Sequence, residues 1–259
     1  MEANNDEEIQ KIEQDIRLSG FPLEIEVSSV LQKDGWHVRN QVFYIDDEEG
    51  KTRTVDVIAH KAFFEKIGDY DRLNMTLVIE CKKSEKPWVF FTTPRIDPGP
   101  VDLELLGSIK QFAKPDIIKS LAFAKWLRSE SHCSYDKRKE YAVISYEPFK
   151  KGKGREILEA IYQVTKALNF QLAEFTKNAS LFSMNPVILL YPIVVLDGHL
   201  YESRPRTEDM GVRRCGSLQF SVSRKTPFLV DILEKDYLPQ FLTAINNDIT
   251  SLKDFLRAR

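Results

Sequence analysis

Apolar residues recur along this chain with two different periods, and those periods assign most of its elements. Ile9, Ile12 and Ile16 stand at helical spacing within residues 4–18. They predict a short amphipathic helix that docks on the body of the protein and ends at Ser19-Gly20. A second helix opens at Phe21-Pro22, since proline's missing N–H costs nothing in a first turn. Leu23, Val27, Val30 and Leu31 give this helix an apolar stripe, and Gly35 stops it. Glu24 falls on that stripe, because it precedes Val27 and Leu31 by three and seven positions, whereas Glu26 faces the polar side. Alternation then takes over. Residues 36–45 and 51–60 read as a hairpin around the polar turn Asp46-Asp47-Glu48-Glu49-Gly50. Residues 61–73 read as a loop with some helical character, and residues 75–82 as a third strand.

Residues 84–100 are punctuated by proline and carry Trp88, Phe90 and Phe91. Helical patterns follow over 103–112 and 116–127, separated by Pro115, and residues 141–146 read as a fourth strand. A basic, glycine-rich loop spans 150–155 before a long helix through Ile157, Ile161, Val164, Leu168 and Phe175. Residues 187–196 form a fifth strand, which Asp197-Gly198 turns into 199–202. Short strands at 217–223 and 228–232 precede a terminal helix bearing Leu238, Phe241, Ile245, Ile249, Leu252 and Phe255. Helix, three meandering strands, helices, then strand and helix again imply an α/β fold. Its central sheet is mixed, with helices on both faces.

Composition narrows the function classes. With 259 residues and 42% hydrophobic content, the chain can build one large domain or two small ones. A net charge of -2 leaves no global basic bias, so any nucleic-acid contact must come from a local patch. Cys81, Cys133 and Cys215 are odd in number and far apart, which argues against a disulfide framework or a clustered zinc site. A reducing, cytoplasmic setting fits. The acidic start (Glu2, Asp6, Glu7, Glu8) is unlike a signal or transit peptide. The longest apolar run, 187–196, is too short to span a bilayer and contains Pro192, so no membrane partner is expected. The four histidines are scattered and support neither a zinc site nor a histidine-based triad.

The chemistry concentrates on two strands. Asp56 interrupts the apolar run Val55 to Ala59, and Glu80 and Lys82 end the run that begins at Leu77. Asp is depleted in strands, and a carboxylate buried without a partner is costly. Glu80 and Lys82 share one strand face, their Cα atoms about 7 Å apart; Lys83 points the other way. If the two strands pair, Asp56 and Glu80 converge at one end of the sheet. Two carboxylates 4 Å apart repel by about 4 kcal/mol at an effective dielectric of 20, so they need a cation. Hard oxygen ligands with waters left over suit Mg²⁺ or Mn²⁺, and the Cys81 backbone carbonyl points to the same place. Lys82 beside a metal-bound water helps deprotonate it or stabilises a phosphoryl transition state; a neighbouring cation lowers its pKa and favours the base role. Glu24, from the helix beneath, orients a water or holds a second metal.

Glu24 on a first helix, Asp56 on a second strand and Glu80-Cys81-Lys82 on a third resemble the PD-(D/E)xK nuclease superfamily, with its restriction-endonuclease-like fold. The resemblance covers residues 21–146 and departs from the motif in having Val55, not proline, before Asp56. It implies a nuclease-like core over 21–146, an N-terminal helical arm over 1–20, and a C-terminal α/β extension over 147–259 packed on the same domain. It implies that Asp56 and Glu80 bind Mg²⁺ (or Mn²⁺), that Lys82 assists attack of water on a phosphodiester, and that Glu24 supports the metal. The expected partner is nucleic acid, DNA in the first place; a homodimer is left open.

Plainer readings stand beside these. Asp56 and Lys82 can form a structural ion pair, and Glu24 can be a solvated first-turn carboxylate favoured by the helix dipole. Arg53, Lys86, Arg95 and the 150–155 loop can hold phosphates or be ordinary surface. Trp88, Phe90 and Phe91 stack on bases or, more simply, pack. Lys110 and Gln111 are expected on a helix as accessory polar residues. Cys81 reads as a core thiol rather than a nucleophile. The alternative function is an inactive nucleic-acid-binding or protein-interaction module on the same scaffold, or a nuclease acting on RNA or branched DNA.

Overall fold

In the computed structural model the expected hairpin forms as β1 (His37–Asp46) and β2 (Lys51–Phe63), antiparallel, with Asn40 opposite Val57 and Asp46 opposite Lys51. The structure describes residues 2–46, 48–68, 70, 72–94, 110–113, 140–149, 155–179, 186–205, 209–222 and 228–258. Two helices precede the hairpin, α1 (Glu2–Leu18) and α2 (Phe21–Lys33). Then come β3 (Arg72–Lys83), β4 (Trp88–Pro94), β5 (Lys110–Ala113) and β6 (Glu140–Tyr146). After helix α3 (Glu156–Ala179) follow β7 (Pro186–Asp197), β8 (Leu200–Ser203), β9 (Val212–Arg214), β10 (Ser217–Val222) and β11 (Phe228–Glu234). Helix α4 (Leu238–Arg257) ends the described chain.

The strands make one mixed sheet in the order β1-β2-β3-β7-β11-β10-β6-β4-β8-β9, with β5 pairing β7 beside that path. β7 lies parallel to β3 along its whole length, from Arg72 opposite Pro186 to Lys83 opposite Asp197. Its residues from Pro186 to Leu196 are all buried. A central parallel strand is covered on both faces, which is why this stretch is continuously apolar rather than alternating. Residues 141–146, read as the fourth strand, form β6, which pairs with β4 and β10. Residues on both sides of position 146 therefore share one sheet.

Helices cover both faces. On one face α2 and α4 pack over Val57, Ala59, Leu77, Ile79, Leu189 and Tyr191. On the other, α3 covers Val55, Ile58, Val78, Leu190 and Val194. The α2 stripe behaves as its spacing predicts: Leu23, Val27 and Leu31 are buried, each contributing about 1.5–3 kcal/mol. Among the described residues no helix is long and apolar enough to cross a membrane.

Three expectations are corrected. Helix α1 forms, but its stripe does not dock: Ile9, Ile12 and Ile16 are 46%, 53% and 50% exposed. Periodicity marks an apolar face without saying what covers it. Residues 61–73 are mostly extended, since β2 runs to Phe63, Ile67 bridges Tyr70 and β3 begins at Arg72. Lys110 and Gln111 lie on strand β5, not on a helix, because the open edge of β7 recruits them. The expected helix at 116–127, together with Arg95 and residues 150–154 of the basic loop, lies outside the described residues.

Candidate active site

The site begins with an irregularity in the hairpin. Val38 packs towards the α2 face and Asn40 donates to Ser28 Oγ of α2, yet Val42 and Tyr44 pack under α3. β2 does the same: Val57 faces α2 and α4, whereas Val55 faces α3. Residues two apart on a strand normally share a face, so both strands rotate between these positions. The rotation occurs at Gln41 and Asp56, which oppose one another where the ladder is interrupted. Register is unchanged on either side, with Asn40 opposite Val57 and Val42 opposite Val55, so neither strand gains a residue. Gln41 absorbs the turn with φ +49°, in the left-handed region that non-glycine residues seldom occupy.

Regular β2–β3 pairing ends at Val57 opposite Ile79. Beyond it, the Asp56 carboxylate replaces a backbone acceptor: its Oδ2 takes the Cys81 N–H at 2.7 Å. In an extended strand the N–H and C=O of one residue leave on the same edge, so the Cys81 carbonyl also faces the Asp56 side. Glu80, two residues on from Val78 and so on the α3 side of β3, is 3% exposed. Lys82 Nζ donates to Glu80 Oε1 at 2.8 Å, while Glu80 Oε2 is buried without a hydrogen-bond partner. Glu24 reaches in from α2, 8% exposed, and its Oε2 accepts from Gln41 Nε2 at 2.5 Å. The first-turn carboxylate is thus turned inward rather than solvated. The cation facing these acids pairs with Glu80, not with Asp56.

Electrostatics tie the groups together. Burial, then the charges of Asp56 and Glu24, push the Glu80 carboxyl up to about 7, against the pull of Lys82. Burial also raises Asp56, opposed by the Cys81 N–H, Lys82 and Gln41. Glu24 is raised by burial and by Asp56, opposed by its bond from Gln41 and by Lys82. Burial works against the Lys82 ammonium, but Glu80 and Asp56 outweigh it and raise its pKa. Lys82 is thus a cation held by Glu80. Cys81 is buried and its thiol is pushed up, chiefly by burial, as fits a core residue.

A small divalent ion fits this set. Among the described residues no three His, Cys, Asp or Glu side chains converge as a ready-made metal group. Mg²⁺ needs less: one or two carboxylates, other oxygens and water suffice. Glu80 Oε2 is a buried acceptor with no hydrogen-bond partner, and Asp56 and the Cys81 carbonyl supply further hard oxygens.

The surroundings sort the remaining candidates. Trp88 and Phe90 are buried in the α3-side core, with Phe90 edge-on to Phe220. Arg53 is held by Asp46 and Glu49, and Lys166 of α3 by Asp46, so the cavity of about 510 Å³ between hairpin and α3 is an anchor rather than a reaction site. A smaller cleft, about 240 Å³, adjoins the end of β3 and is lined by Lys83, Lys86, Trp88 and Glu156. Lys83 and Lys86 donate to the backbone carbonyls of Arg17 and Phe149, and Glu85 and Glu147 line the same cleft. Gln41 was not anticipated. Its signal lay in the hairpin register, which sets position 41 opposite 56 once the turn is placed at 46–50. No family model, curated protein sequence or solved structure matches this chain.

Proposed function

We propose that this protein is a divalent-metal-dependent nuclease that hydrolyses phosphodiester bonds, with DNA as the expected substrate. Its core is read as restriction-endonuclease-like: α2, β1, β2 and β3, then α3 and the parallel strand β7. One observation carries the reading. Asp56 takes the Cys81 N–H where β2 parts from β3, Lys82 pairs with Glu80, whose Oε2 is buried and unpartnered, and Glu24 of α2 is close enough to exchange charge effects with Asp56 and Lys82.

When bound, Mg²⁺ or Mn²⁺ supplies a Lewis acid and an acidified water. Asp56 and Glu80 would hold it, with the Cys81 carbonyl, and Glu24 would support the shell from α2. The chain's own contribution is mostly placement. Cys81 N–H fixes Asp56 against the strand edge, and burial of Glu80 strengthens its attraction for a cation. Lys82, kept protonated by Glu80, stabilises negative charge building on the phosphoryl oxygens.

The test is cleavage of duplex, single-stranded and branched oligonucleotides with Mg²⁺ or Mn²⁺. Wild type should cut at least one of them, and Asp56→Ala and Lys82→Ala should not. Equal activity in all three proteins, or none in wild type, sinks the reading; nucleic-acid binding without cleavage would put the inactive binding module in its place.

A further inference from the structure

Glu24 and Asp56 come from different elements, and one neutral residue is bonded to the first and placed opposite the second. Gln41 Nε2 donates to Glu24 Oε2 at 2.5 Å, and Gln41 stands opposite Asp56 across the hairpin. A primary amide carries two N–H donors, so one glutamine can serve two carboxylates. Its neighbours on β1 do not substitute for it: the Asn40 amide is bonded to Ser28, and Val42 is an apolar core residue. The arrangement has a cost, since the Gln41 backbone sits at φ +49°. Strain of this kind persists where surrounding structure over-determines it, and it concentrates at functional sites. Here the rotation that strains Gln41 is the one that interrupts the ladder at Asp56, so a single backbone distortion presents both the amide and the carboxylate.

We propose that Gln41 is a positioning residue of this site, its amide spanning Glu24 and Asp56 and holding them as one pre-formed pair for a divalent cation. The inference rests on the nuclease reading. Gln41 does not react. It keeps two like charges together in the right orientation, as outer partners of metal ligands do.

Calorimetric titration of Mn²⁺ without nucleic acid tests this, using wild type, Gln41→Gly and Gln41→Asn, with a melting curve of each in chelator. Gln41→Gly removes the amide and relieves the left-handed backbone, so it should melt at or above wild type yet bind Mn²⁺ about 10- to 100-fold more weakly. Gln41→Asn keeps the donors on a shorter side chain that tolerates this backbone, and should fall between the two. If wild type binds Mn²⁺ and cleaves nucleic acid but Gln41→Gly binds equally well, the positioning role is overturned and the nuclease reading stands. If Gln41→Gly fails to fold, Gln41→Asn decides: wild-type affinity with its shortened reach overturns the proposal. If wild type neither binds Mn²⁺ nor cleaves, the reading and the proposal fall together.

Discussion

Asp56 takes the place of a backbone carbonyl opposite Cys81, its Oδ2 accepting the Cys81 N–H at 2.7 Å. A side chain thus finishes a ladder that the main chain leaves, and the carboxylate is held in the plane of the sheet beside Glu80. The arrangement ties the site to strand geometry rather than to a loop. Lys82→Ala should therefore leave the far-ultraviolet circular dichroism unchanged while slowing metal-dependent cleavage by about 10²- to 10³-fold. Retention of near wild-type rates would remove Lys82 from the chemistry.

Glu80 makes stability depend on pH in a defined direction. Its carboxyl is raised from 4.5 to about 7 in the folded protein, so the folded state holds the proton more tightly than the unfolded chain. Its contribution is full below pH 4.5 and is lost as pH rises through about 7. In chelator, the denaturation midpoint should fall across that window, and Glu80→Gln should flatten the fall. Saturating Mn²⁺ should flatten it too, by favouring the ionised carboxylate. A midpoint that rises over the same window contradicts this account of Glu80.

Asp46 has the opposite sign. Lys166 holds its carboxyl down, to about 2 from 3.8, with the Glu48 N–H and Arg53 helping against burial. That stability is present above pH 3.8 and disappears as pH falls through about 2. Asp46→Asn should lower the neutral-pH midpoint, with the gap to wild type closing in acid. A constant gap from neutral pH to pH 2 would show that packing, not charge, anchors the hairpin to α3.

Gly68 offers a test of the seam between the β2–β3 connection and α4. It sits at φ +60°, and a Cβ there would collide with the Leu256 carbonyl oxygen. Gly68→Ala should cost about 1–2 kcal/mol for the left-handed backbone alone, and more from the clash. Gly50, at φ +65° with open space around it, is the control and should cost only the backbone term. Equal losses at the two positions would argue that α4 simply moves aside.

The local parts of the site were legible in the sequence. The α2 stripe put Glu24 on the inward face, and the turn at 46–50 and the apolar runs set β1, β2 and β3 with their charges. Two things were hidden, for different reasons. The face swap at Gln41 and Asp56 is a backbone distortion, and glutamine carries none of the left-handed preference that marks glycine or asparagine. The neighbour of β3 was hidden by distance, because parallel pairing with β7 leaves no turn signal to read. Residues 141–146 were the nearer strand, but the sheet uses them elsewhere. Lys110 and Gln111 looked helical because a four-residue strand is too short to show a period.

The pairing of β3 with β7 also sets an order of events as the chain is made. Partners such as Arg72 and Pro186 are more than a hundred residues apart. Until β7 has been synthesised, β3 has an apolar edge with nothing beside it, and contacts of such long separation form slowly. Glu80 and Lys82 precede by more than a hundred residues the strand that flanks them. In that interval the open edge of β3 is free to pair with another chain, a route to aggregation.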